Sequence, residues 1–270
     1  MELKATRYAV ENRIATITLS RPHRLNAWTG RMHTEYRWCL EQAEENSEVR
    51  VIVVTGEGRG FCAGADSQAL EGHIAKGGYD PGTGDDIANP GYGIRPEFDT
   101  NFAFHFGLTK PVIAAINGPA AGVGLVLACF ADIRFAAAGA KLTTAHGRLG
   151  LPAEFGLSWL LPRLIGLSRA QELLISSRVF MTEEAHAIGL VHHLLPGDEL
   201  MPAVYAYAAN LAKTVAPSST RITRQQVYID LHRDIGSSVA ESESLLNRMM
   251  AGSDYKEGVK ALLEKREPNF

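Results

Sequence analysis

The sequence predicts an α/β protein with a parallel β-sheet, followed by a helical C-terminal part. Strand and helix patterns alternate in the first half of the chain, as they do around parallel sheets. The runs VIVV at 51–54 and PVIAAI at 111–116 are continuously apolar, which is typical of strands buried on both faces. After about residue 196 only helical patterns follow.

A half-buried strand and an amphipathic helix precede these two runs. Residues 13–19, RIATITL, alternate between apolar and polar, with Ala15, Ile17 and Leu19 on one face. The helix is predicted from four residues at helical spacing, Met32, Tyr36, Leu40 and Ala43.

Four helices are predicted in the C-terminal part, over 202–213, 222–231, 237–250 and 255–265. No strand is predicted there. We therefore expect a core over 1–195 and a helical region over 196–270 that packs on a neighbour or caps the core.

Composition narrows the possible partners. Of 270 residues, 46% are hydrophobic and 21% charged, and the formal net charge of −3 gives no basic field for nucleic acid or a membrane surface. The N-terminus lacks a signal-peptide pattern, and no window reaches the roughly 20 apolar residues of a membrane span. Cys39, Cys62 and Cys129 are odd in number and far apart, which fits a reducing compartment, so we predict a cytoplasmic protein.

Two glycine-rich segments follow the buried strands, GRGFCAGAD at 58–66 and NGPAAGVG at 117–124. Small residues are needed where φ is positive or where a ligand approaches the backbone. The second segment leads into a helix beginning near Gly122, whose first amides are free to donate. Two such segments predict two backbone donors that converge on one oxygen, an oxyanion hole. Close packing without a ligand is the alternative for either segment alone.

Other kinds of site are not indicated. The glycine spacing of GEGRG and GVGLVL does not match a dinucleotide-binding fingerprint. The GxSxG, CxxC, HExxH and P-loop motifs are absent. His192 and His193 are interpreted as part of an edge strand, and no metal site is predicted.

Residues 72–99 are rich in Gly, Pro and Asp and have neither helical nor strand periodicity. A loop of that length within a domain is uncommon and is usually functional or mobile. We expect a partly disordered flap beside the site, with a plain surface insertion as the alternative.

Five stretches together resemble the enoyl-CoA hydratase/isomerase (crotonase) family. They are RPHRLNAW, GFCAGAD, PVIAAINGPAAGVG, LPRLIGLSRAQELLISSRVFMTEEAHAIGLVHHLLP and YKEGVKALLEKREPNF, in the family's order over nearly the whole chain. The resemblance implies a spiral of ββα units and C-terminal helices that assemble trimers, often paired into hexamers. It also implies an acyl-CoA thioester whose carbonyl oxygen is held by the amides of Ala65 and Val123. Many members have Gly in place of Val123.

The resemblance further implies residues that would contact coenzyme A, which here is part of the substrate and not a permanently bound cofactor. Arg24, Leu25 and Ala27 match the loop that lies along the pantetheine and adenine. The other implied contacts are Ala63, Asp66, Gly122 at the helix start, and Lys265 at the position of a C-terminal base against the phosphates. A solvated lysine at a helix end is the alternative for Lys265.

The family's acid/base positions differ in this chain. Hydratases of the family use two glutamates, and the first position holds Val126, which cannot transfer a proton. The second position holds His146, whose side chain suits proton transfer near neutral pH. Glu154 in GLPAEFG matches a carboxylate that acts as base or nucleophile in other branches. Its alternative is a carboxylate favoured by the following helix.

We therefore predict an acyl-CoA enzyme of the hydratase/isomerase class in which Glu154 and His146 transfer protons. Three reactions fit, namely isomerisation of an enoyl thioester, hydration, and carbon–carbon hydrolysis of a β-diketone. A non-catalytic acyl-CoA-binding protein is the alternative from another class.

Overall fold

A computed structural model describes residues 1–84 and 86–270. Its strands are β1 (Thr6–Glu11), β2 (Ile14–Leu19), β3 (Val51–Gly56), β4 (Val112–Ile116), β5 (Ala120–Ala121), β6 (Ile133–Ala137), β7 (Lys141–Thr143), β8 (Phe180–Met181) and β9 (His193–Leu195). Its helices are α1 (Gly30–Glu45), α2 (Ser67–Lys76), α3 (Val123–Phe130), α4 (Leu157–Ile165), α5 (Leu167–Ser176), α6 (Thr182–Ala187), α7 (Gly197–Thr214), α8 (Pro217–Asp230), α9 (Ile235–Met250) and α10 (Ser253–Glu264).

Six strands form the main sheet in the order β1-β2-β3-β4-β6-β9. Within this sheet β2, β3, β4, β6 and β9 pair in parallel, as the apolar runs predict. Strand β9 lies at the edge, as expected for the segment of His192 and His193. Strand β1 pairs antiparallel with β2 and was not predicted from the sequence. Most of its side chains are exposed, because it is the other edge strand, so it lacks a clear apolar pattern.

Apolar side chains cover both faces of this sheet. On one face, Ile52 and Val54 pack in a core that includes all four predicted residues of α1, and Ala15, Ile17 and Leu19 share that core. On the other face, Val51 and Val53 pack in a second cluster with Leu200, Val204, Ala208 and Ala212 of α7. Helix α7 therefore completes the core of the sheet, while the division at residues 195 and 196 stays a prediction.

The C-terminal helices begin earlier than the sequence predicts. Helix α7 begins at Gly197 rather than at 202, so Pro202 lies inside the helix rather than at its start. Helix α8 begins at Pro217 rather than at 222. The first turn of α7 contains the acidic pair Asp198 and Glu199, which suits the positive end of a helix but gives no apolar periodicity. In the described part of the chain no strand follows residue 196, and no helix is long and apolar enough to cross a membrane.

The segment at 72–99, which was predicted to be a flap, contains more regular structure than predicted. Its first five residues complete α2, so the expectation of no helix there was wrong. Every residue of α2 is at least partly exposed, and such a helix leaves little apolar pattern in the sequence. The segment then passes over the start of α1: a Cβ built on Gly30 would lie 2.0 Å from the Gly82 carbonyl oxygen.

Candidate active site

The two glycine-rich segments are hydrogen-bonded directly to each other. Strands β3 and β4 are parallel neighbours, so the segments that follow them leave the sheet at the same edge. The amides of Phe61 and Cys62 donate to the Pro119 carbonyl at 3.2 Å each, and the Ala121 amide donates to the Cys62 carbonyl at 3.0 Å. This pairing explains why the first segment carries so few large side chains.

A glycine with positive φ precedes each of the two predicted donor amides. Gly64, before Ala65, has a φ of +101°, and Gly122, before Val123, has a φ of +47°. Residues with a Cβ rarely adopt these angles, so the sequence needs glycine here to turn the next amide out of the segment.

The structure brings Ala65 and Val123 to one cavity, which both residues line. Val123 is the first residue of α3, where a helix has amides without intrahelical acceptors. Neither the Ala65 nor the Val123 amide donates to a backbone or side-chain acceptor in residues 1–84 and 86–270. The two amides can therefore serve a ligand in the cavity.

The cavity has a volume of about 620 Å³, within the range of small-molecule sites. Aromatic rings line much of its wall. The ring centroid of Phe102 lies 5.8 Å from that of Trp28 and 5.1 Å from that of Phe155, and Phe155 lies 5.9 Å from Tyr79. Trp28 and Phe102 come from distant parts of the chain, which is why the sequence could not place them.

Glu154 is the carboxylate next to the second donor amide. Its Oε2 atom lies 3.7 Å from the position that a Cβ on Gly122 would occupy, and the side chain is half-buried in the cavity wall. No described residue donates a hydrogen bond to this carboxylate or pairs with it. Burial raises the pKa of Glu154, and the nearby His146 opposes that rise. A carboxyl group in this state is suited to proton transfer.

His146 lies beside Glu154 but outside the cavity wall. It begins the 3-10 helix His146–Leu149 and exposes 6% of its surface. Its backbone is held on both sides, because its amide donates to Thr144 at 2.7 Å and its carbonyl accepts from Leu151 at 3.0 Å. The Nδ1 atom is buried and finds no hydrogen-bond partner among the described residues. An unpartnered buried ring nitrogen is uncommon and fits a group that acts on another molecule.

The loop between these two residues has unusual backbone geometry at both ends. Ala145, just before His146, has a φ of +61°, and Phe155, just after Glu154, has a φ of +49°. Non-glycine residues with such angles are strained and tend to cluster at functional sites. Strand β7, which leads into this loop, pairs with β5, which leads into Gly122. The pairing brings the loop to the second donor amide.

Val126 is buried in α3, and no residue of that helix carries a carboxylate. Helix α3 therefore offers no replacement for the glutamate that hydratases of the family have at the position of Val126.

The residues predicted to contact coenzyme A at the first segment lie close to one another. The Ala63 amide donates to the Leu25 carbonyl at 3.0 Å, and the Ala27 carbonyl accepts from Arg21 at 2.6 Å. Arg24 is exposed. Asn26, which the sequence did not single out, is fully buried and its side-chain amide donates to Gly60 at 2.7 Å. Asn26 thus fixes the predicted loop against the first glycine-rich segment.

Asp66 makes two structural contacts, and its contact with coenzyme A stays a prediction. Its carboxylate is buried, pairs with Arg21 at 2.9 Å and caps α2 by accepting from the Gln68 amide at 3.0 Å. Burial alone would raise the pKa of Asp66, but the Gln68 hydrogen bond and the Arg21 pair hold it below its usual value. The side chain does not line the cavity.

Replacing Asp66 with Ala is expected to lower the free energy of unfolding by about 0.5–2 kcal/mol, the usual range for a lost helix cap. Because the pKa of Asp66 is lower in the folded state, the contribution of its charge is present above the unfolded pKa and is lost as pH falls through the folded value. Urea unfolding of both proteins at pH 7 and at pH 3 measures this. An equal difference at the two pH values would contradict a charge-based contribution.

Lys265 lies at the C-terminal end of α10, is exposed, and is not among the residues that line the cavity. Its contact with the phosphates stays a prediction. In the residues that the structure describes, no three His, Cys, Asp or Glu side chains come together as a possible metal site.

Several cavity residues could not be found from the sequence. His33 lies on α1 one position after the core residue Met32, and His73 and Tyr79 lie within the segment at 72–99. Phe106 and Trp159 line a neighbouring cavity of about 420 Å³, which shares Phe155 with the first. No local sequence pattern identifies these residues as cavity-lining, since only the folded chain brings them together.

Comparison with known proteins identifies the family. The sequence matches the enoyl-CoA hydratase/isomerase family over residues 9–270. A protein of Mycobacterium bovis described as a probable enoyl-CoA hydratase is 37% identical over 264 residues, which cover 95% of this chain and 89% of that protein. The 1,2-epoxyphenylacetyl-CoA isomerase of Escherichia coli is 34% identical, covering 97% of this chain and 96% of that enzyme. The crystal structure of an enoyl-CoA hydratase from Bacillus anthracis has a TM-score of 0.84 at 27% identity, covering 99% of each chain.

Proposed function

This chain belongs to the enoyl-CoA hydratase/isomerase family, and we propose that it isomerises an enoyl-CoA thioester by moving a proton with Glu154. The family supports an enzyme and an acyl-CoA substrate. The observation that carries the proposed reaction is the position of Glu154: one unpaired, half-buried carboxylate stands beside Gly122 and Val123 in the cavity. The second carboxylate that a two-glutamate hydration needs is replaced by Val126.

The amides of Ala65 and Val123 act on the thioester carbonyl oxygen in this proposal. As a proton leaves the carbon chain, negative charge moves to that oxygen and is stabilised by two fixed donors. Support comes from the two positive-φ glycines and from the absence of a partner for either amide within the described chain.

Glu154 removes a proton from one carbon and donates a proton to another, and its half-buried carboxyl group exchanges with solvent between the two steps. In a 3-enoyl thioester, the electrons of the C2–H bond form a double bond to the thioester carbon, and the carbonyl electrons move to oxygen to give an enolate. The protonated Glu154 then donates to C4, the carbonyl re-forms, and the double bond lies between C2 and C3. No atom is gained or lost, so one carboxyl group serves both steps. Burial raises the pKa of Glu154, which brings its acid and base forms closer to balance at working pH.

His146 tunes this cycle from outside the cavity wall. It favours the ionised form of Glu154, because its electrostatic effect lowers the pKa of that carboxyl group.

His146→Ala is expected to lower turnover about tenfold and to move the pH profile of kcat toward higher pH, since the pKa of Glu154 rises when a nearby positive charge is lost. Steady-state kinetics between pH 5 and 9 measure both effects. A lower melting temperature with an unchanged rate and profile would assign His146 a purely structural role.

Coenzyme A recognition follows the predicted residues in this proposal. The loop of Arg24, Leu25 and Ala27 lies against Ala63, and the exposed Arg24 lies near the ion pair of Arg21 and Asp66. Gly122 contacts the thioester end, and Lys265 reaches the phosphates. Coenzyme A enters as part of the substrate, and we propose no permanently bound cofactor.

We also propose self-association as a trimer or a dimer of trimers, in a cytoplasmic location. Ile235, Leu262 and Leu263 are apolar and about four-fifths exposed on α9 and α10, which favours a further partner surface. The three cysteines are free and buried, as in a reducing compartment. Light scattering should give three or six times the 29.3 kDa chain mass; a monomer would contradict the proposal.

Chromatography coupled to mass spectrometry tests the reaction class, because isomers of equal mass must be separated before they are detected. The enzyme is incubated with 2-enoyl-, 3-enoyl-, dienoyl- and 3-oxoacyl-CoA thioesters, with β-diketones in parallel. We expect interconversion of 2-enoyl and 3-enoyl thioesters at unchanged mass. Addition of water would indicate a hydratase, fragmentation a carbon–carbon hydrolase, and binding without turnover a non-catalytic acyl-CoA-binding protein; each of these results would overturn the proposed isomerisation.

A further inference from the structure

A second histidine, His33, faces the same cavity from α1. Its side chain lines the cavity together with Ala65, Val123 and Glu154, and it exposes 5% of its surface. The imidazole ring packs edge to face on two members of the aromatic wall, with centroid distances of 5.8 Å to Trp28 and 5.7 Å to Phe102. A polar ring has thus been placed within an otherwise largely apolar wall.

The ring nitrogens of His33 make no hydrogen bond to any described residue. A neighbouring histidine shows the contrast. His105 is also buried, and its nitrogens contact the Tyr36 hydroxyl at 2.8 Å and the Phe102 carbonyl at 2.6 Å. Buried polar groups are normally paired in this way. His33 has no such partner, but its ring nitrogens are not fully buried, so a ligand in the cavity can supply the partner.

His33 is neutral at physiological pH. Burial lowers its pKa to about 4, and the Arg37 guanidinium on the same helix acts in the same direction. A neutral imidazole has one N–H donor and one nitrogen acceptor, so it can bond to a hydroxyl or to a carbonyl without exchanging a proton. His33 can therefore bind a ligand by hydrogen bonding, whereas Glu154 is proposed to transfer protons.

The location of His33 assigns it to the acyl group rather than to the thioester carbonyl. Trp28 pairs through its backbone with the Ala65 segment, its amide donating to Gly64 at 2.7 Å, and His33 contacts its ring. On the other side, the His33 ring packs on Phe102 and Phe102 packs on Phe155, the residue that follows Glu154. His33 thus belongs to the aromatic wall and not to the segments that carry the two donor amides.

We propose that His33 is a specificity residue that hydrogen-bonds a hydroxyl or carbonyl oxygen on the acyl group, away from the reacting carbons. The substrate class is then an oxygenated acyl-CoA. This inference rests on the proposed acyl-CoA function. A plain hydrocarbon chain would remove water from the imidazole nitrogens and offer them nothing in return, so the site selects against it.

Binding of saturated thioesters tests this inference without any turnover. The probes are hexanoyl-CoA with its 4-, 5- and 6-hydroxy forms, and phenylacetyl-CoA with its 2-, 3- and 4-hydroxy forms, measured by calorimetry. For at least one hydroxylated member we expect roughly tenfold tighter binding than for its parent. His33→Phe should abolish this preference and tighten binding of the parent, and His33→Gln should retain part of it.

His186→Phe provides a matched control, because His186 on α6 does not line the cavity and its Nδ1 already contacts the Val191 carbonyl at 3.0 Å. Its preference for the hydroxylated probe should equal that of the unmodified protein. If His33→Phe keeps the preference of the unmodified protein, or if the unmodified protein has no preference, the role of His33 is overturned and the proposed function is not. Failure of every thioester to bind would overturn the proposed function and this inference together.

Discussion

Glu154→Gln should lower turnover about a hundredfold, the scale of a lost general base, and leave the affinity for acyl-CoA nearly unchanged. Gln has almost the same shape as Glu but cannot take a proton. The variant should also be more stable at high pH. Because the pKa of Glu154 is raised in the folded state, the folded protein binds more protons and loses stability as pH rises through that raised value.

Two measurements therefore check one substitution. Steady-state kinetics give the loss of turnover, and urea unfolding at pH 4 and pH 8 gives a stability gain confined to the higher pH. Glu48→Gln is the matched control, since Glu48 is exposed and its carboxylate makes no described contact. Full activity in Glu154→Gln would remove the residue from the reaction, and equal stability at both pH values would show that its pKa is not raised.

Gly124→Ala is expected to cost about 1–3 kcal/mol of folding stability, as overpacking usually does, and to lower turnover about a hundredfold in the protein that still folds. A Cβ at this position would lie 2.2 Å from the Cys62 carbonyl oxygen and 2.8 Å from the Cys62 Cβ. Relief requires the two glycine-rich segments to separate. The Ala65 and Val123 amides would then no longer converge on one oxygen.

Gly72→Ala is the control for this change. Gly72 lies in α2, and a Cβ there would have no heavy atom within 4 Å, so alanine should stabilise the helix slightly. Thermal unfolding and kcat of both variants make the comparison. A Gly124→Ala enzyme with normal turnover would show that the close approach of the two segments does not set the geometry of the site.

Much of the fold follows from patterns within single segments. The apolar runs of β3 and β4 predict buried parallel strands because both faces of those strands are covered. The glycine-rich segments predict backbone donors because positive φ angles at Gly64 and Gly122 exclude most other residues. The edge strand β1 and the acidic first turn of α7 were missed, since exposed residues carry little apolar signal.

The candidate site was less predictable because it depends on contacts between distant segments. Glu154 and His146 came from the family resemblance, and nothing near them in sequence shows that one lines the cavity and the other does not. His33 belongs to a helix that was predicted correctly, but its face toward the cavity depends on Trp28 and Phe102. Such groups become visible only when burial and hydrogen-bond partners are known.

Deuterium uptake tests the central claim most directly. A 3-enoyl-CoA thioester is incubated in deuterated water with the unmodified enzyme and with Glu154→Gln, and mass spectra are followed over time. We predict formation of the 2-enoyl isomer with deuterium incorporated on carbon and no added water, and at least a hundredfold slower uptake in the variant. Equal uptake in both proteins, or addition of water by the unmodified enzyme, would contradict proton transfer by Glu154 as the reaction of this site.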